Sequence, residues 1–232
     1  EGSRLLNKQG SVGVISIAGS LTNGSRGYGN YMTTYNEIRE AMIQAAADPT
    51  IKTILLDIKS GGGSVQGLSD TADLVRKVDA KVKPVHSFSG AAMCAAAYWL
   101  GSSARRVHAS SMADVGSIGV IATHTEYTKM LENDGITPTV IRSGAFKGLG
   151  SPYEKLSDKA EAVIQAQVDH MAGIFDNYIA DRRGMTVDAF KKKAGEGRVF
   201  VGQQGVDAGL VDSITTFDAL VSKLESAGSK QP

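Results

Sequence analysis

The sequence has almost no cysteine, little proline and no long apolar run. Its 232 residues include one cysteine, Cys94, and five prolines. A single cysteine excludes an intrachain disulfide, and this composition fits a reducing compartment. No stretch approaches the roughly 18 apolar residues of a membrane span, so we expect no membrane segment in this chain. Because the chain begins at Glu1 and not at Met, we expect it to be a trimmed or processed piece of a longer protein.

An excess of either charge is also missing. Lys and Arg total 25 against 24 for Asp and Glu, which gives a formal net charge of +1. A nucleic-acid binder needs a basic excess on one face, so the balance argues against nucleic acid as a partner. The four histidines have no mutual spacing suited to a metal ion, and we expect neither a metal nor a cofactor. We expect His108 and His124 to lie on strands.

Strand-like and helix-like patterns alternate along the chain. β-branched or continuous apolar runs predict strands at 11–19, 53–58, 84–89, 106–109 and 139–142. Helical spacing predicts helices at 35–47, 65–78, 92–103, 127–133, 158–183, 187–193, 202–208 and 217–224. A loop is expected at 24–31. The alternation predicts an α/β fold with a largely parallel sheet flanked by helices. Without a repeat or linker, we expect one domain over 1–232, with a core at about 11–215 and a helical tail at 216–232.

A glycine cluster, Ser60-Gly61-Gly62-Gly63-Ser64, follows the apolar strand that ends at Ile58. Glycines there let backbone N–H groups approach a ligand closely. Such groups can cradle a phosphate or form an oxyanion hole. The spacing matches neither the dinucleotide nor the P-loop fingerprint, and a simple tight turn explains the cluster equally well.

Two further segments are candidates for chemistry. Gly90–Leu100 (GAAMCAAAYWL) places small residues at the start of a helix, as in a nucleophile elbow. Its one possible nucleophile is Cys94, for which we favour a structural role. Lys147 follows Phe146 and precedes Gly148 and Leu149. An ammonium held among apolar groups gives up its proton more readily and can act as a general base, although a lone loop lysine is usually just solvated.

Taken together, the motifs resemble one family. Their order is SGGGSVQG, SGAAMCAAAYWL, GSIGV, SGAFKGLGSPY and a final segment from Arg198 to Asp212. This order is similar to that of the signal peptide peptidase A family of Ser/Lys peptidases, over about residues 11–215. Within the family, Tyr35-Asn36-Glu37-Ile38, Asp48-Pro49 and Leu55-Leu56-Asp57 suit the branch of lambda-type phage capsid-assembly proteases.

The resemblance implies a crotonase-like fold of the kind seen in Clp peptidase, with a Ser nucleophile and a Lys base. Lys147 matches the general base, and Ser117 matches the hydroxyl that orients it. Gly62 and the backbone N–H of Ala96 match the oxyanion hole. The nucleophile position falls on Ala95, whose methyl group cannot attack a carbonyl, so the chain as given is expected to be inactive. Either a serine has been replaced, which we favour because the remaining set is intact, or the chain is a natural pseudo-protease.

The leading hypothesis is an endopeptidase that processes capsid or scaffold proteins in the host cytoplasm, inside a phage prohead. The alternative is a bacterial signal peptide peptidase associated with the membrane. A crotonase-type acyl-CoA enzyme is a second class of function, but this chain has no suitable acidic residue after the glycine turn to support it. A non-catalytic scaffold is a third class. The family builds rings with active sites near subunit contacts, so a homo-oligomer is expected.

Overall fold

The computed structural model describes residues 3–24 and 31–228. The chain divides into two compact units, one formed by residues 1–119 with 175–232 and the other by residues 120–174. These units are defined by contacts within the chain, so the expectation of a single domain over 1–232 stays a prediction. The loop predicted at 24–31 falls largely outside the described residues.

The first unit contains the β-structure of the described part of the chain. Its strands are β1 (Leu6–Gln9), β2 (Val12–Ala18), β3 (Ser20–Thr22), β4 (Met32–Thr34), β5 (Thr53–Lys59), β6 (Val85–Ser89), β7 (Ala92–Cys94), β8 (Arg106–Ala109), β9 (Asp114–Gly116), β10 (Val199–Val201) and β11 (Ser213–Ile214). A six-stranded sheet has the order β1-β2-β5-β6-β8-β11 and is parallel except at β1. A smaller sheet has the order β10-β9-β7, and β3 pairs with β4.

Helices of the first unit cover both faces of the large sheet. Along the described chain the helices are α1 (Tyr35–Ala47), α2 (Leu68–Lys81), α3 (Ala96–Ser102), α4 (Thr128–Asn133), α5 (Asp158–Arg182), α6 (Val187–Ala194), α7 (Gln203–Asp207) and α8 (Phe217–Gly228). Leu220 and Leu224 of α8 form one buried cluster with Leu55 and Phe88. Ser87 instead donates to Gly101 O of α3, and neighbouring strand residues face opposite sides. The architecture is thus the mixed α/β fold of the crotonase and Clp peptidase type.

Local sequence explains the elements that were predicted well. Thr34 Oγ1 accepts a hydrogen bond from Glu37 N–H, and Glu37 Oε2 accepts one from Thr34 N–H, so a capping box starts α1. Asp48, followed by proline, ends this helix. The apolar run of β5 is buried on both faces, as expected of a central parallel strand.

Four sequence predictions need correction. The helix predicted at 65–78 begins only at Leu68, because Gly67 has a φ of +82°. Residues 92–94 of the helix predicted at 92–103 form β7, which pairs with β9. No strand forms at 139–142, all of which are described. Its β-branched residues find no partner strand, and Ile141 is 92% exposed. His124, expected on a strand, lies in irregular structure.

The second unit, residues 120–174, has almost no apolar core. All of its residues are described, and Ala160 is its one buried hydrophobic residue. Large side chains are exposed instead, namely Ile121, Tyr127, Met130, Ile136, Ile141, Phe146, Tyr153 and Ile174.

A pair of histidines is enclosed on the large sheet. His86 of β6 and His108 of β8 stack with ring centroids 5.3 Å apart, and His86 Nδ1 lies 3.0 Å from His108 Nε2. His108 Nδ1 is 2.8 Å from Ser213 Oγ on β11. Burial lowers the pKa of each ring to about 4. Both rings are therefore neutral at physiological pH.

Among the described residues, no helix combines the length and the apolar character that crossing a bilayer requires.

Candidate functional site

A sharp turn from strand to helix centres on Ala95. β7 ends at Cys94, Ala95 has φ +48° and ψ −123°, and α3 begins at Ala96. A positive φ is strained for a residue with a Cβ and is typical of functional sites. Ala95 is partly exposed, whereas its neighbours Cys94 and Ala96 are buried. The turn therefore has the geometry of a nucleophile elbow, which presents one side chain to solvent.

Hydrogen bonds from the backbone hold this elbow in place. Ala95 N–H donates to Gly116 O of β9 at 2.8 Å, and Cys94 N–H donates to Ser60 O at 3.1 Å. The two bonds tie the elbow to the small sheet on one side and to the glycine turn on the other. The small residues at the start of this helix thus allow close contact between backbone segments.

The glycine turn packs directly against position 95. A Cβ added to Gly62 would lie 2.8 Å from Ala95 Cβ and 3.2 Å from Ala96 N. Gly62 also has a φ of +111°. Only glycine meets both conditions without strain. The structure therefore brings together three of the residues singled out from sequence: Gly62, Ala95 and Ala96.

The N–H groups of the turn have different partners. Gly62 N–H donates to Ser60 Oγ at 3.1 Å. Leu21 N–H donates to Gly62 O, and Ser64 N–H donates to Leu21 O, both at 2.9 Å. In such a parallel bridge the N–H of Gly63 points away from Leu21. Gly63 is exposed, and its N–H has no hydrogen-bond partner among the described residues.

Gly63 was missed at the level of sequence. Three consecutive glycines look alike there, and only the hydrogen-bond pattern separates them. At the helix side, Ala96 is the first residue of α3, so its N–H has no intrahelical partner. Two free donors thus lie in the segments that border position 95.

Ser117 lies one residue beyond the carbonyl that holds the elbow. It has a φ of +49°, and its N–H donates to Arg198 O at 2.7 Å. The side chain is partly exposed. Ser117 is thus a second strained non-glycine residue close to Ala95 along the hydrogen-bond network, and such strain is typical of functional sites.

Lys147 belongs to the second unit, where it is exposed. Its N–H donates to Gly144 O at 3.1 Å. The neighbouring Phe146 ring is 65% exposed and lies 4.3 Å from Lys159 Nζ. The sequence predicted apolar surroundings for Lys147 because Phe146 precedes it. Within this unit, the exposed Phe146 ring does not provide them.

Cys94 has the properties of a structural residue. Burial raises the pKa of its thiol, and the nearby charge of Asp114 raises it further. Its Sγ lies 3.8 Å from Asp114 O. A protonated, buried thiol is a poor nucleophile. Within residues 3–24 and 31–228, no three His, Cys, Asp or Glu side chains converge as metal ligands would.

Comparison with known proteins agrees with the fold. Residues 77–230, more than half of the chain, match the model of peptidase family S49. The matched region includes positions 95, 117 and 147, whereas the glycine turn precedes it. The chain belongs to peptidase family S49, which confirms the resemblance to signal peptide peptidase A and its phage branch.

Several curated relatives are similar to almost all of this chain. The capsid assembly protease C of Escherichia phage lambda is 33% identical over 93% of this chain and 49% of that protein. The head-tail preconnector protein GP5 of Enterobacteria phage P21 is 32% identical over 97% of this chain and 45% of its own length. A putative signal peptide peptidase SppA of Enterococcus faecium is 31% identical over 87% of this chain and 57% of that protein. The chain thus spans about half the length of these relatives.

Proposed function

We propose that this chain is the peptidase domain of a serine endopeptidase with a Ser/Lys dyad, present here with alanine at the nucleophile position. The observation that carries the proposal is the elbow at Ala95, with its positive φ and its contact with Gly62. An alanine methyl group needs no strained backbone, whereas a nucleophile that a sharp elbow must present to a substrate does. The strain at position 95 is therefore a feature of an active site whose reacting hydroxyl is missing.

The chemistry follows from the role of each group. With serine at position 95, Lys147 in its neutral form takes the hydroxyl proton as the oxygen attacks the scissile carbonyl carbon. The Ala96 N–H and the free N–H of Gly63 stabilise the resulting oxyanion, and Gly62 leaves room for it. The Lys147 ammonium then protonates the leaving amine. Water hydrolyses the acyl-enzyme with the same lysine as base, while Ser117 orients its side chain.

Capsid or scaffold proteins are the proposed substrates. Support comes from relatives named for capsid assembly and for the head-tail preconnector, similar over more than nine-tenths of this chain. The host cytoplasm, inside the prohead, is the corresponding location.

A homo-oligomer is part of the proposal. The second unit exposes large apolar side chains and buries only Ala160, so burial against another copy would supply the missing core. In contrast, α3 is buried within the first unit and offers no surface to a partner. The second unit is therefore the proposed assembly surface, and it carries Lys147.

Lys147→Met in an Ala95→Ser background tests the dyad. Methionine keeps the length and apolar stem of lysine but removes the base, so turnover should fall by about 10²–10⁴-fold or more. The rate of the Ala95→Ser chain should rise with pH above neutrality, because a general base acts only in its unprotonated form. A fully active Lys147→Met variant, or a rate that stays flat from pH 7 upward, would contradict the role of Lys147.

Degradation of signal peptides at a membrane is the second candidate. The relative named as a putative signal peptide peptidase, 31% identical over 87% of this chain, supports it. The Ala95→Ser chain can be offered a signal peptide and a capsid or scaffold protein in parallel, and the ratio of kcat/KM decides between the two. A folded Ala95→Ser chain that cleaves neither, nor any unfolded protein, would favour a non-catalytic scaffold.

A further inference from the structure

Ser60 lies between the end of β5 and the turn that packs against position 95. Its N–H donates to Ala92 O at 2.8 Å, and its carbonyl accepts from Cys94 N–H at 3.1 Å. The residue is 2% exposed. Ser60 therefore joins the glycine turn to β7, the strand that leads into the elbow.

The hydroxyl of Ser60 is committed to the turn itself. Ser60 Oγ accepts from Gly62 N–H at 3.1 Å and donates to Gly62 O at 3.4 Å. Because Gly62 is buried, its N–H needs a partner within the protein. Leu21 holds the other side of the turn through Gly62 O and Ser64 N–H. The turn is thus fixed from two sides, although its three glycines alone would leave it many conformations.

We infer that Ser60 is a positioning residue of the proposed oxyanion site: its hydroxyl engages the Gly62 N–H and so keeps the Gly63 N–H as the free donor of the turn. The inference rests on the proposed function. Without the hydroxyl, the Gly62 N–H must turn toward another acceptor, and the peptide plane next to it rotates as well. The Gly63 donor would then move away from the position that a substrate oxygen occupies.

Amide hydrogen exchange measured by NMR tests the first step on the chain as given. The Gly62 amide should be protected and the Gly63 amide should exchange rapidly. In Ser60→Ala, protection at Gly62 should fall at least tenfold, and both glycine resonances should shift. Unchanged exchange at Gly62 would overturn the inference, whatever the activity. If Ser60→Ala does not fold, Ser60→Cys replaces it, since a thiol has nearly the same volume but is a much weaker acceptor.

Kinetics in an Ala95→Ser background test the second step. Ser60→Ala should lower kcat about 10- to 100-fold with little change in KM, because a displaced oxyanion donor affects the transition state. The matched control is Ser87→Ala, which removes an equally buried hydroxyl that donates to Gly101 O at 2.9 Å. It should destabilise the fold and leave kcat unchanged. Equal losses of kcat in both variants would overturn the positioning role.

The two steps separate this inference from the proposed function. A silent Ala95→Ser chain would count against the proposed function, and amide exchange would still decide whether Ser60 holds the turn. An active Ala95→Ser chain with undiminished kcat in Ser60→Ala would contradict the inference alone.

Discussion

Lowering the pH should destabilise the large sheet at the stacked pair His86 and His108. Burial is the main cause that lowers the pKa of each ring from its usual 6.5 to about 4. The unfolded chain therefore binds protons more readily than the folded chain between these two values. Stability from the pair is complete above pH 6.5 and is lost as the pH falls toward 4.

The charges around the pair act in both directions, because the arginine and lysine side chains lower the pKa of the rings whereas the carboxylates of Asp79 and Asp212 raise it. The charged groups that act on one or both rings are Asp79, Arg105, Arg106, Asp212 and Lys223. One pKa unit corresponds to ~1.4 kcal/mol, so a full shift of one ring contributes about 3 kcal/mol. Because the rings share a hydrogen bond, the two titrations are coupled, and we expect about 3 kcal/mol for the pair together.

Urea unfolding at several pH values from 7.5 to 4 measures this loss. The double variant His86→Gln, His108→Gln keeps polar side chains but does not titrate. Its unfolding free energy should fall by about 3 kcal/mol less over this range than that of the unchanged chain. Parallel curves for the double variant and the unchanged chain would refute the reasoning.

Two further predictions concern the elbow and the assembly. Gly62→Ala should lower the free energy of unfolding by about 2 kcal/mol or more, since its φ is +111° and the new Cβ would lie 2.8 Å from Ala95 Cβ. Gly61→Ala, with open space around the added Cβ, is the control, and equal urea midpoints for the two would contradict the packing. Mixing an Ala95→Ser, Lys147→Met double variant with the chain as given should restore some casein cleavage if two copies share a site. No recovery, or a monomer in sedimentation at active concentrations, would contradict the shared site.

Sequence alone predicted the elements whose signals are local. The capping box at Thr34 and Glu37 begins α1, and the apolar run of β5 reports its own burial. The family pattern likewise predicted the elbow and Gly62 as neighbours. These features depend on residues close together in the chain or on motifs in a fixed order.

The missed features depend on pairing across the fold. β7 was assigned to a helix because alanine favours helices, yet its hydrogen bonds to β9 make it a strand. The segment 139–142 has strand composition but no partner strand. His86 and His108 are 22 residues apart and meet only through the register of neighbouring strands. No local pattern records such a register.

Casein cleavage by the Ala95→Ser chain tests the central claim most directly. The unchanged chain and the Ala95→Ser chain would be incubated with casein at equal concentration, and the fragments would be identified by mass spectrometry. We expect the unchanged chain to leave casein intact. The Ala95→Ser chain should cut it without added metal, and the chelator EDTA should not inhibit the cleavage. A folded Ala95→Ser chain that produces no fragments from casein or other unfolded proteins would contradict the assignment of position 95 as the nucleophile.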